Sequence, residues 1–258
     1  MKKAIAILFL SLLTMTSHAQ SDLFRLIRGV IKAGQALTIS DEELANIVKS
    51  SIDAMDRSNN VCSENSAYTK RLRRITNNFR DADGIRLNFK VYNTTEINAF
   101  ACPDGSIRIF SALMDLLNDD ELLGVIGHEI GHVALRHSKK AWREELLRGA
   151  TSDAIGAFSD TWASLSDSFI GNIAGAAISA KHSRNQENEA DEYGYEYLKR
   201  CGKNPWAMGK AFIKMKKLDE EGDSRYRLLL QPFSSHPDFE ERIGNIRKMA
   251  ESDGYPCL

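Results

Sequence analysis

The sequence predicts an α+β fold, mostly helical, with one small β-sheet. Three observations carry this. Apolar residues recur at helical spacing over most of the chain, and polar capping residues open the helices so implied. Only residues 87–110 alternate apolar and polar as strands do.

Each element has its own signal. Ser40-Asp41-Glu42-Glu43 reads as a capping box that starts a helix whose apolar face holds Leu44, Ile47, Val48 and Ile52. A second helix runs from about Ser66 to Arg80, with Tyr68, Leu72 and Ile75 inward. Leu87 to Tyr92 alternates as a strand, Ile107 to Phe110 is a short second one, and Asn98-Ala99-Phe100 is a third between them. Pro103-Asp104-Gly105 supplies a tight turn. Asn118-Asp119-Asp120-Glu121 caps a long helix expected to run unbroken through His132 towards Leu147. A polar, helix-compatible segment follows Ser183. An amphipathic helix with Met208, Phe212 and Met215 follows Pro205, and a last helix follows Pro237. The stretch Gly149 to Ala180 is rich in Gly, Ala and Ser, but Asp153, Asp160 and Asp167 interrupt it. It is therefore expected to be a lid or loosely packed helical hairpin, not a membrane hairpin.

Lys2-Lys3, the apolar run Ala4 to Leu13 and Ser17-His18-Ala19 have the layout of a secretory signal peptide over residues 1–19, cleaved after Ala19. A spanning helix needs about 20 apolar residues, so the run is too short to be one. No cysteine follows it, which argues against a lipoprotein anchor. The expectation is an exported, periplasmic chain whose residues 20–258 form one catalytic domain with no spanning segment. The 34 basic and 35 acidic residues nearly balance, which argues against nucleic acid or an anionic membrane as partner. No repeat of solenoid period occurs. Cys62, Cys102, Cys201 and Cys257 are even in number and lack C-x-x-C spacing. In an oxidising compartment they suggest two structural disulfides, with Cys62–Cys102 and Cys201–Cys257 the favoured pairing of three.

The chemistry lies in His128-Glu129-Ile130-Gly131-His132, an H-E-x-x-H pattern inside the apolar run. Side chains at i and i+4 share a helix face, so two imidazoles can meet one metal ion. Glu129 emerges beside that ion, where it can take a proton from water. A catalytic zinc site needs a third protein ligand from another element. On an unbroken helix His137, nine residues past His128, faces away. In the second polar segment Glu187 and Asp191 share a face, while Glu189 and Glu192 point elsewhere. That pairing suits one carboxylate on the metal and a second holding a ligand histidine by its other nitrogen. Gly124 and Gly131 on one helix and Ala190 and Gly194 on the other would let the two backbones approach closely. Alone, the acidic residues would read as a solvated helix face.

His128-Glu129-x-x-His132 followed by Ser183-Arg184-x-x-Glu187-x-x-Ala190-Asp191 resembles the CAAX-prenyl-protease and HtpX-type zinc metallopeptidases, most of all their periplasmic BepA/LoiP-like branch. The resemblance spans roughly Ser66 to Ala250 and takes in Asn98-Ala99-Phe100-Ala101, Gly105 to Phe110, Leu113 to Leu117, His236-Pro237 and Arg242. It implies a zincin-like (gluzincin) fold and one Zn2+ per chain held by His128, His132 and Glu187. Glu129 would be the catalytic base, Asp191 a support, and His236 a fourth ligand or an oxyanion donor. BepA-like relatives carry a C-terminal tetratricopeptide array that this sequence lacks. The function implied is a zinc metalloendopeptidase acting on unfolded or damaged envelope proteins. Such a substrate would add in extended form to Ile107–Phe110 as an exposed edge strand. The alternatives are a zinc-stabilised chaperone or scaffold, against which Glu129 argues, and a peptidoglycan cross-bridge peptidase, for which no motif is present. Oligomeric state has no signal in the sequence.

Overall fold

The computed structural model describes residues 40–153, 174–220, 236 and 238–258. The signal-peptide segment 1–19 and most of the expected lid, residues 154–173, lie outside them. Contacts divide the chain into residues 1–47 and 48–258. Of the first unit the described part is Ser40 to Ile47, which holds the opening turns of α1.

Helix α1 spans Asp41–Ser58, and its predicted apolar residues Leu44, Ile47, Val48 and Ile52 are all buried. Helix α2, Ala67–Thr76, is capped by Ser66, whose side chain accepts from the Thr69 N–H, and it buries Leu72. It ends a turn earlier than its sequence pattern suggests. A two-stranded hairpin, β1 (Asp81–Ala82) with β2 (Ile85–Arg86), follows and was not foreseen. Asp83 and Gly84 turn it with positive φ of 50° and 78°.

The main sheet has three strands, β3 (Asn88–Tyr92), β4 (Ala99–Ala101) and β5 (Ser106–Phe110), in the order β3-β5-β4. β5 is parallel to β3 and antiparallel to β4. The expectation that Ile107–Phe110 forms an exposed edge is therefore wrong: β5 is the central strand, and all five of its residues are buried. Arg108 is the one charged residue of this strand. Its guanidinium pairs with Asp56 of α1 (Nε–Oδ1 2.8 Å, Nη2–Oδ2 3.0 Å) and donates to the Asn88 carbonyl at 3.0 Å. A buried Arg in a strand is tolerable when a carboxylate takes its charge.

Helix α3 (Ser111–Leu116) leads into α4 (Asp119–Ala134), which carries the H-E-x-x-H residues. The predicted cap is present: Asn118 accepts from the Glu121 N–H, and the Glu121 carboxylate accepts from the Asn118 N–H. Every residue from Glu121 to Val133 is buried, so α4 is the central helix of the core. The chain continues as α5 (His137–Asp153), α6 (Arg184–Arg200), α7 (Trp206–Glu220) and α8 (Phe239–Ser252). No helix among the described residues is long and apolar enough to cross a membrane.

All four cysteines are free, so neither expected disulfide is formed. Cys102 is fully buried, and burial pushes its thiol up. The C-terminus is tied without a bridge. Tyr195 and Lys199 bond Asp253 at 2.9 and 2.8 Å, and Asn204 donates to the Pro256 carbonyl at 2.9 Å.

The seam between α4 and α6 positions the site, and small residues make it possible. A Cβ on Gly194 would lie 2.9 Å from the His128 backbone nitrogen, and one on Gly131 would lie 3.1 Å from the Ala190 Cα. Gly127, not singled out from sequence, is as tight: a Cβ there would meet Tyr197 at 2.9 Å. Gly194→Ala should destabilise the fold by about 1–3 kcal/mol in urea unfolding, because overpacking against backbone outweighs the better helix propensity of alanine. Gly244→Ala, on α8 with open space around it, should be neutral or slightly stabilising.

Candidate active site

His128 and His132 lie one turn apart on the buried face of α4, with their Nε2 atoms 3.0 Å apart. Glu187 opens α6, where Ser183 caps the helix by accepting from the Gln186 N–H. Its carboxylate oxygens stand 3.4 Å from His132 Nε2 and 3.6 Å from His128 Nε2. His236 Nδ1 lies 3.2 Å from His128 Nε2 and 3.1 Å from Glu187 Oε1. The ligand-type atoms of His128, His132, Glu187 and His236 all fall within 4.8 Å of one another. The structure thus brings together the three metal ligands that the resemblance named, and His236 with them.

Glu129 is buried, and its Oε1 has no hydrogen-bond partner; His236 Nε2 lies 3.6 Å from it. Burial, only partly offset by His236, raises its carboxyl above the ordinary value. Asp191 Oδ1 accepts from His128 Nδ1 at 2.8 Å, the supporting contact expected of it. Arg242 of α8 grips Asp191 with two bonds, Nε to Oδ2 at 2.7 Å and Nη2 to Oδ1 at 2.6 Å. Its Nη1 lies 2.8 Å from Glu187 Oε2, an ion pair whose angle falls short of a hydrogen bond. Its guanidinium also lies 4.2 Å from the Phe212 ring centroid. Burial alone would raise both carboxyls. Arg242 holds Asp191 below its ordinary value, and His236, His132 and Arg242 hold Glu187 well below its own. His236 is shifted upward, because Glu187 and Glu129 outweigh the effect of burial.

One reading from sequence is overturned. α4 does not run on to Leu147; it ends at Ala134, and Arg136 takes the left-handed conformation at φ 63°. The Arg136 side chain is held by Asp83 at 3.1 Å. That break turns the ring of His137 back towards the site, with its Nδ1 3.1 Å from His132 Nδ1 and its Nε2 2.9 Å from Glu189. Burial pushes His137 below the ordinary imidazole value. His182, which has no signal in the sequence, stacks on His132 with ring centroids 4.0 Å apart, and burial pushes it down to about 3. Five of the six histidines in the chain thus gather within one small region.

The donors fit a divalent metal ion. Asp191 can only accept, so the hydrogen of a neutral His128 sits on Nδ1 and its Nε2 lone pair faces the other donors. Arg242 Nη2 also approaches Nδ1 at 3.2 Å, but its shorter bond goes to Asp191. Charge gives the same answer. Among the described residues, three buried carboxylates, on Glu129, Glu187 and Asp191, face one buried guanidinium, Arg242. Two negative charges in a water-poor site call for a compensating dication.

Two imidazoles one turn apart, a glutamate from a second helix and a buried carboxylate beside them define a metallopeptidase of the zincin kind. The chain belongs to peptidase family M48, whose family model matches residues 66–250. It is 38% identical over 218 residues to the metalloprotease YcaL of Escherichia coli (strain K12), covering 84% of each chain. It is 36% identical over 224 residues to the metalloprotease LoiP of the same strain, covering 86% of each. To the beta-barrel assembly-enhancing protease of Yersinia pestis it is 30% identical over 180 residues, 66% of this chain and 36% of that one.

The electrostatics predict the cost of removing Arg242. Arg242→Met should lose about 3–5 kcal/mol in denaturant unfolding, because it leaves Asp191 and Glu187 buried without their cation. Adding Asp191→Asn should recover part of that loss, so the two effects will not add.

Proposed function

We propose that this chain is an exported zinc metalloendopeptidase that cleaves unfolded or damaged proteins of the bacterial envelope. One observation carries the chemistry: the donors of His128, His132 and Glu187 converge beside a buried Glu129 carboxylate whose Oε1 has no hydrogen-bond partner. His128, His132 and Glu187 would hold one zinc ion. When bound, zinc polarises the scissile carbonyl and lowers the pKa of a water molecule towards neutrality. Glu129 accepts the proton of the attacking water and passes it to the departing amine. Burial shifts its carboxyl upward, the direction that favours taking up a proton in the first step. Asp191 orients His128, and Arg242 locks Asp191 in place. The envelope assignment is supported by the signal-peptide pattern of residues 1–19. The name of the beta-barrel assembly-enhancing relative points to the same compartment.

With β5 in the middle of the sheet, β4 becomes the strand for substrate addition. It lies against α4 and carries no second strand on its outer side among the described residues. Antiparallel pairing with β5 turns alternate main-chain groups inward and leaves those of Ala99 and Ala101 directed away from β5; Ala99 is buried and Ala101 partly exposed, so a peptide would enter at the Ala101 end. An extended peptide added there would be read mainly by its backbone, so side-chain specificity should be loose.

His236 serves as a latch in this reading. Its Nδ1 sits among the donors, where it would take the open position that a substrate carbonyl needs. The cluster is closed as well, with all four side chains buried.

Metal analysis and a casein digest test the catalytic roles. Glu129→Gln should retain about one zinc per chain while proteolysis falls by about 10²-fold or more. Glu187→Ala should lose zinc and activity together, and a Glu187→Ala chain that binds zinc like wild type would contradict its ligand role.

The latch has its own test. His236→Ala should raise basal proteolysis with zinc retained. A drop in turnover of about 10²-fold at unchanged zinc content would instead make His236 an oxyanion donor.

A further inference from the structure

His132 meets the donor cluster through Nε2, but the groups on its other side decide which nitrogen carries its hydrogen. His132 Nδ1 and His137 Nδ1 are 3.1 Å apart, and His137 Nε2 is 2.9 Å from Glu189 Oε2. Two ring nitrogens at that separation, on the side of His132 away from the donor cluster, share a single hydrogen, since two N–H groups or two lone pairs would repel there; the two Nε2 atoms of His128 and His132 differ because a metal ion would take both lone pairs. A carboxylate only accepts, so Glu189 requires the N–H of His137 to be on Nε2. The His137 Nδ1 of that tautomer is bare, and the shared hydrogen lies on His132 Nδ1. His132 Nε2 is left with its lone pair, and it is the atom 3.0 Å from His128 Nε2 and 3.4 Å from Glu187 Oε1.

We propose that Glu189 and His137 form a positioning relay that fixes the tautomer and ring orientation of His132 for metal binding. Asp191 does the same for His128 in one step; here a second imidazole is inserted between carboxylate and ligand. The helix break creates the relay. On a continuous helix, position 137 would stand about 140° round from position 132 and could not reach it. Arg136 in the left-handed conformation, tied to Asp83, brings it back. His137 is buried while Glu189 is half exposed, so the relay runs from the rim of the site inward. Neither residue touches substrate; both act through His132. The inference rests on His132 being a metal ligand, as proposed above.

The test is zinc affinity of the full chain by competition with a chromophoric chelator, with the visible spectrum of the Co2+-substituted protein as a second readout. His137→Leu keeps bulk but offers no acceptor, and it should weaken zinc binding by about 10- to 100-fold and alter the Co2+ spectrum. His137→Asn can place its side-chain oxygen where Nδ1 was and should restore most of both. Glu189→Ala should weaken binding in the wild-type background and add nothing in the His137→Leu background. The thermal midpoint of the metal-free chain separates positioning from folding. A purely structural His137 would lower that midpoint in both variants and show no rescue by Asn, which would overturn the relay. So would wild-type zinc affinity in His137→Leu, or an equal effect of Glu189→Ala in both backgrounds. If His137→Leu fails to fold, Asn and Glu189→Ala still decide between affinity loss and none. A wild-type chain that binds no zinc overturns the site reading and the relay together, whereas an unaffected His137→Leu overturns the relay alone.

Discussion

Three carboxylates and one guanidinium share a space closed to water, and that imbalance organises the structure around it. Isolated charges do not survive in such an environment unless paired, bonded or bound to a metal. Arg242 reaches in from α8 to hold Asp191 and Glu187 on α6, and Asp191 holds His128 on α4. Three helices distant in sequence are thereby fixed by polar contacts that have no solvated alternative. The remaining negative charge meets imidazole nitrogens whose lone pairs converge, which is the arrangement a divalent ion satisfies. Glu129, at the centre and with its Oε1 unbonded, is the group left available for chemistry.

The seam follows from the same need. Donors on α4 and α6 can share one point only if their backbones nearly touch, and this is what the run of glycines on α4 permits. An added methyl at Gly194 would press on the backbone that carries His128. Packing and site geometry are therefore one constraint, and the helix most deeply buried is also the helix that carries the H-E-x-x-H residues.

Much of this was legible in the sequence because it rests on local periodicity. The capping box at Asn118, the i, i+4 pair of histidines and the Glu187/Asp191 face all depend on residues within one or two turns. What escaped depends on a single backbone torsion or on the partner of a side chain. The sequence places His137 on the far side of α4 because nothing in Leu135-Arg136 announces a break; Arg136 takes the left-handed conformation, with its side chain 3.1 Å from Asp83. The place of β5 in the middle of the sheet depends on distant partners, since the charge of Arg108 is taken by Asp56, 52 residues earlier. His182 comes to the site through the start of α6, a placement that no spacing rule provides. The four cysteines show the limit of counting: an even number fits disulfides, yet all four thiols are free.

The central claim is that the buried carboxylate excess is balanced by one bound divalent ion, and its most direct test is thermal unfolding of metal-stripped chain titrated with zinc. Binding to the folded state alone raises the midpoint with ligand concentration. The chain should take up one equivalent of zinc, with a midpoint that rises as zinc is added and falls again with chelator. Glu187→Ala should abolish that response. A stripped wild-type chain whose midpoint does not move with zinc would contradict it.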